Sequence, residues 1–179
     1  MNVEGDASSL VTVDGTTVTI TGSGTFVLTG TLSDGEVLVN AADADVVLVL
    51  DDASVTNADG PAVNIQDAGS AVVVLAEGST NTLTDGATYA DTSADAPTAA
   101  LYSSDTLTLT GTGSLTVTGQ ANDAISSKNG LALTGSPTMT VTAADDGLRG
   151  KDWLLIDGGT LTVTDRKSTR LNSSHALAS

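Results

Sequence analysis

The sequence predicts an all-β chain wound as a parallel β-helix, and three observations carry that expectation. Thr occurs 29 times and Val is common, so β-branched residues dominate. Leu, Ile and Val alternate with Thr in runs such as Thr106–Thr110, Leu115–Thr118 and Leu161–Thr164, with Gly, Asn and Asp between them and no long stretch of helical periodicity. An internal repeat then puts the runs in order.

Leu101, Ile125 and Leu148 fall into one column at spacings of 24 and 23 residues. Leu107, Leu131 and Leu154 then align, as do Leu109, Leu133 and Ile156, and Gly111, Gly135 and Gly158. Leu115, Met139 and Leu161 follow, then Val117, Val141 and Val163. A weaker copy covers Val63–Gly86 and another runs from about Val37 to Ala62. A turn of 23–24 residues with short strands and no helix cannot close a core alone, but stacked turns bury a continuous apolar column. Stacking at about 4.8 Å makes ladders of like side chains. Ala87–Ala100 (ATYADTSADAPTAA) fits no strand template and is expected to project from one turn as an acidic loop.

The pattern stops at Asp165. DRKSTRLNSSHALAS reads like the in-frame translation of a sequencing-library adapter, and it holds 3 of the 6 basic residues and the only histidine, His175. It is set aside as a non-native tail (165–179), leaving 1–164 as one domain with 21 acidic and 3 basic groups and a net charge of −18. A chain this acidic repels phosphate backbones and anionic headgroups, which argues against nucleic-acid and membrane partners. No apolar run reaches the ~18 residues of a membrane span, and no signal peptide precedes Val3. Without cysteine, disulfides, zinc–thiolate sites and thiol catalysis are excluded. Aromatics are limited to Phe26, Tyr89, Tyr102 and Trp153, too few for a row of stacking platforms.

Four strings carry a resemblance: TFVLTGTLSDG (Thr25–Gly35), LAEGSTNTLTDG (Leu75–Gly86), the following Tyr89 with Asp91 and Asp95, and AADDGLRGKD (Ala143–Asp152). Together they resemble a bacterial family of secreted, carbohydrate-binding parallel β-helix proteins, over roughly residues 8–164. The resemblance implies a single-stranded right-handed parallel β-helix, bound Ca²⁺, an extracellular or cell-surface location, and attachment to plant cell-wall polysaccharide such as cellulose or acidic polygalacturonate-type glycans. The family continues with further DG-containing turns. The chain therefore reads as truncated at its C-terminal end, with an open last turn prone to end-to-end self-association.

The acid ladders are the strongest chemical signal. Asp123 and Asp146 stack on consecutive turns, with Asn122 and Asp145 before them. Stacked carboxylates repel unless a proton or cation intervenes, and Ca²⁺ takes 6 to 8 oxygens without histidine or cysteine. Asp85, Asp91 and Asp95 offer a second candidate set. Asp105, Asn129 and Asp152 form another ladder whose plainer reading is turn closure. The three body cations, Lys128, Arg149 and Lys151, neighbour the ladders and suit either salt bridging or recognition of sugar carboxylates. Tyr102 and Trp153 are each suited to stacking on a sugar ring. Thr116, Thr140 and Thr162, with Thr118, Thr142 and Thr164, form two outward columns that the sequence confines to the last three turns. The reading that results is a non-catalytic, calcium-dependent polysaccharide binder. Its rivals are a calcium-dependent lyase using Lys128 or Lys151 as base, an ice-binding solenoid, and a structural stalk.

Overall fold

The computed structural model describes residues 1–5 and 8–166; His175 and most of the expected tail lie outside them. Sixteen strands form one continuous sheet, with no α-helix among the described residues. From Thr17 onward every strand pairing with a later turn is parallel. The column Val18–Val37–Val63–Leu101–Ile125–Leu148 marks six turns, which advance by 19, 26, 38, 24 and 23 residues. The one long step contains the insertion.

Each turn has three flat faces. The first is built from β3 (Thr17–Ile20), the starts of β5 (Glu36–Thr56) and β6 (Val63–Leu75), β8 (Ala99–Ser103), β11 (Asp123–Ser127) and β14 (Leu148–Gly150). The second uses the start of β4 (Gly24–Leu32), the middle of β5, the end of β6, β9 (Leu107–Gly111), β12 (Gly130–Thr134) and β15 (Trp153–Asp157). The third uses the ends of β4 and β5, then β7 (Thr80–Thr84), β10 (Ser114–Gly119), β13 (Thr138–Ala143) and β16 (Thr160–Asp165). Period-two alternation sends Leu, Val and Ile inward and Thr outward on each face. The columns Leu107–Leu131–Leu154 and Leu115–Met139–Leu161 therefore stack as the repeat predicts.

Parallel stacking begins only at Thr17, although the resemblance reaches back to about residue 8. β2 (Val11–Asp14) pairs antiparallel with β3, and β1 (Asn2–Gly5) pairs antiparallel with β4. Both cover backbone edges of the first turn that have no turn beneath them, which is how an open sheet edge is closed to other strands.

Asn81, Ser103 and Ser127 are polar groups inside the core that are paired where the chain bends. Asn81 is fully buried in a column of apolar residues; its Oδ1 accepts from the Ala53 amide at 2.8 Å, and its Nδ2 donates to Ser79 Oγ at 2.8 Å and to the Ser114 carbonyl at 3.1 Å. Ser103 and Ser127, stacked and buried, both donate to the Asp105 carbonyl at 2.8 Å. The corner between the second and third faces is a glycine ladder, Gly111, Gly135 and Gly158, with φ of 110°, 76° and 107°. A Cβ at Gly111 would drive into the Leu75 carbonyl.

Gly111→Ala combines positive φ with that clash, so a loss of about 2 kcal/mol or more is expected in a denaturant melt. Gly15→Ala, at φ 59° in open space, should cost about 1 kcal/mol.

Candidate functional site

The last three turns bring the acid ladder, the cations and the insertion to the first face and its two corners. Stacking of Ile125 on Leu148 sets Asp146 over Asp123: the Asp146 amide donates to Asp123 Oδ1 at 3.1 Å, and the Asp145 amide donates to the Asn122 carbonyl at 3.0 Å. Asp123 is 2% exposed. Its Oδ2 has no hydrogen-bond partner and faces Arg149 Nη1 at 3.6 Å. Burial pushes its carboxyl above the usual range, Asp146 and Asp145 add to the rise, and the Asp146 amide and Arg149 oppose it.

Asp85, at the end of β7, is also fully buried. Its two oxygens accept from the Gln120 amide and from the Tyr89 hydroxyl, the latter at 2.8 Å. Burial raises the Asp85 carboxyl despite these donors. Burial, with the charges of Asp85 and Asp123, raises the Tyr89 phenol. The insertion therefore does not simply project. Tyr89 ties it to Asp85, and the Ala90 amide reaches the Asp59 carbonyl at 2.7 Å. A buried carboxylate needs donors, and the insertion supplies one. Its last two residues, Ala99 and Ala100, belong to β8 rather than to the loop.

Anchored in this way, the insertion borders two clefts beside the first face, and its first residue, Ala87, borders another beside Thr118 and Thr142. One, of about 260 Å³, is lined by Asn64, Gln66, Tyr102, Ser104, Lys128 and, from the insertion, Asp91, Asp95 and Pro97. The other, of about 250 Å³, lies across Asn64 and is flanked by Glu36, Asn57, Asp59, Tyr89 and Asp91. Lys128 Nζ sits 5.9 Å from the Tyr102 ring centroid and 3.8 Å from Asp95 Oδ1. Tyr102 is only 3% exposed, so its ring walls the cleft and is no open platform. Trp153 is 39% exposed; it pairs with Gly130, where an added Cβ would run into the indole. Lys151 occupies the position of Lys128 one turn later and is exposed.

The expected sets are thus treated unequally. Asn122, Asp123, Asp145 and Asp146 share one corner, joined by backbone hydrogen bonds. Asp85, Asp91 and Asp95 do not converge: Asp85 is engaged inside the corner, Asp91 accepts from the Ser93 amide at 2.9 Å, and Asp95 faces Lys128. Among the described residues, no three His, Cys, Asp or Glu groups form a metal-sized cluster. Asp105 closes its turn, accepting from the Ala68 amide at 3.3 Å and Ser104 Oγ at 3.0 Å.

The threonine columns are not confined to the last three turns. Thr116 continues through Thr82 to Ser54 and Thr31, Thr118 continues through Thr84 to Thr56, and a third column runs Thr80–Ser114–Thr138–Thr160. Sequence alignment lost them because the insertion and the longer second turn break the 23–24-residue spacing that the register restores.

A family model described as "Carbohydrate-binding domain-containing protein" matches residues 14–176. A carbohydrate-binding domain-containing protein of Acetivibrio thermocellus is 36% identical over 88 residues, which cover 48% of this chain and 31% of that relative. The matched stretch is thus under a third of that relative's length. A solved structure described as the polysaccharide lyase-like protein from C. thermocellum, a gadolinium derivative, superposes with a TM-score of 0.84 at 28% identity, over 98% of this chain and 78% of that one.

The two buried acids set a pH signature. Their folded-state carboxyls lie above the unfolded value of ~3.9, so the folded chain binds protons that the unfolded chain releases. Stability should rise as pH falls from 7 through the raised values toward ~4, the reverse of the usual carboxylate trend. Melting temperatures recorded across that range should show the rise. Asp85→Asn, which keeps an acceptor for the Gln120 amide, should flatten it.

Proposed function

Because the chain belongs to the family of carbohydrate-binding domain-containing proteins, we propose that it is a non-catalytic module that holds cell-wall polysaccharide outside the cell. The observation that carries this reading is the cleft beneath the insertion. It combines amide and hydroxyl groups (Asn64, Gln66, Ser104) with an aromatic wall (Tyr102) and a cation (Lys128), the mixture that a sugar's hydroxyls, apolar ring face and carboxylate require. Lys128 lines it, and the other two basic residues of 1–164, Arg149 and Lys151, lie on the next turn, with the exposed Trp153 two residues beyond Lys151. A glycan running along the solenoid axis would meet them in succession.

A net charge of −16 repels an acidic glycan at long range, so contact with polygalacturonate requires local positive charge. Arg149 is partly engaged by Asp123, and Lys128 by Asp95. Calcium at the Asp123 corner is the finer part of the proposal. The donor types suit a hard cation: Asp123 Oδ2 is buried without a hydrogen-bond partner, and Asn122, Asp145 and Asp146 share its corner, though binding would have to draw their side chains together, since they form no metal-sized cluster in this structure. These four residues would hold the ion, which supplies positive charge and coordination positions for carboxylate oxygens. Arg149 competes for the same oxygen. The set Asp85, Asp91 and Asp95 does not fit and is not part of the proposal.

The lyase-like name of the solved relative raises a second reading, with Lys128 or Lys151 as base. Lys128 is held between Asp95 and the Tyr102 ring, an arrangement that suits a binding contact better than a proton acceptor. Ultraviolet-absorbing unsaturated product from polygalacturonate would establish the lyase and overturn the non-catalytic reading.

Retention on polygalacturonate should disappear in excess chelator while the circular dichroism spectrum is unchanged. Asp146→Ala should weaken it more than Lys151→Ala. The double variant Lys128→Ala/Arg149→Ala should weaken it about tenfold or more, the scale of losing charge-assisted hydrogen bonds. Undiminished retention in chelator by the intact fold would remove calcium from the account.

A further inference from the structure

The third face has a property the rest of the surface lacks. Its three outward columns, six, five and four residues long, hold fifteen positions over six strands, and all are Thr or Ser. None is buried and none is ionisable, on a chain with 22 acidic residues. Parallel pairing fixes them on a grid of about 4.8 Å between strands and about 6.8 Å along each strand, spanning roughly 20 by 14 Å. Each threonine presents a hydroxyl that donates and accepts and a methyl that packs, on a side chain stiff at χ1. Little side-chain freedom is lost when such a surface docks.

We propose that this threonine face is a second binding surface, distinct from the cleft, which lies flat on an ordered array of uncharged polysaccharide chains. A single flexible glycan buries only one side of itself on a plane and gains more from the cleft. A plane that is neutral, rigid and periodic matches a ligand that is neutral, rigid and periodic. The charge distribution supports this occupant: charged groups stand only at the margins of this face, Asp52 Oδ1 against the Thr80 amide at 2.9 Å and Arg166 beside Thr118 and Thr142, so its interior carries no charge to desolvate against a neutral ligand. The proposal rests on the carbohydrate-binding reading of the chain. Ice is the rival ordered plane.

The test compares adsorption of the full chain to microcrystalline cellulose with its retention on soluble polygalacturonate. Thr140→Lys, at the centre of the face, should reduce adsorption to the crystalline solid at least tenfold and leave polygalacturonate retention unchanged. Thr116→Val/Thr140→Val/Thr162→Val keeps shape and strand propensity while deleting three hydroxyls. It should also reduce adsorption with an unchanged melting temperature, which keeps the test decisive if the lysine variant fails to fold. Full adsorption by the folded valine variant overturns the proposal. So does a wild-type chain that binds polygalacturonate but not the crystalline solid, or one that produces thermal hysteresis without adsorbing to it. Failure on every glycan would instead overturn the carbohydrate reading itself.

Discussion

In-register parallel pairing is the constraint on which everything else in this molecule depends. A parallel strand pair stacks residue on residue, so each sequence position becomes a column running the length of the solenoid. Apolar columns such as Leu107–Leu131–Leu154 then form a core without any helix or disulfide. The same rule applies to unfavourable neighbours. An acid at one position of the repeat meets an acid on the next turn, as Asp123 meets Asp146, unless backbone amides and a guanidinium intervene. The buried carboxylates are thus a consequence of the architecture, and their hydrogen-bond partners are what make them tolerable.

Columns also sort chemistry by face. Lys128, Arg149, Lys151, the cleft and the insertion gather around the first face, while the outward columns of the third face present hydroxyl and methyl groups, with charge only at their margins. A ligand approaching from one side meets charge and concavity; from another it meets a neutral plane. One repeated sequence unit thereby produces two chemically different surfaces.

The sequence shows the core columns plainly because Leu, Val and Ile recur at fixed spacing where nothing interrupts the turn. The Leu101–Ile125–Leu148 register could be read directly. The earlier turns are harder: the second advances by 26 residues and the third by 38, so Thr82 and Ser54 align with Thr116 only once the pairing is known. The antiparallel cap was illegible because Val11–Asp14 alternates like any other strand, and alternation carries no direction. In the site, Asp123 over Asp146 followed from spacing. The Asp85–Tyr89 contact did not, since local sequence does not say that a loop will fold back onto a buried acid. Asn81 reads as a loop residue by type, and only the corner geometry turns it into a saturated core group.

If register is the governing constraint, the turn is a removable unit. Ile125–Gly147 is 23 residues, one full turn between Ile125 and its partner Leu148. Its deletion would set Leu148 on Leu101, Leu154 on Leu107, and Val163 on Val117. The decisive measurement is the circular dichroism melt of that deletion beside one that removes only Ser136–Gly147. The account predicts a β spectrum and a cooperative transition for the whole-turn deletion and loss of cooperativity for the partial one. Equal behaviour of the two, or an unfolded whole-turn deletion beside a folded partial one, would contradict it.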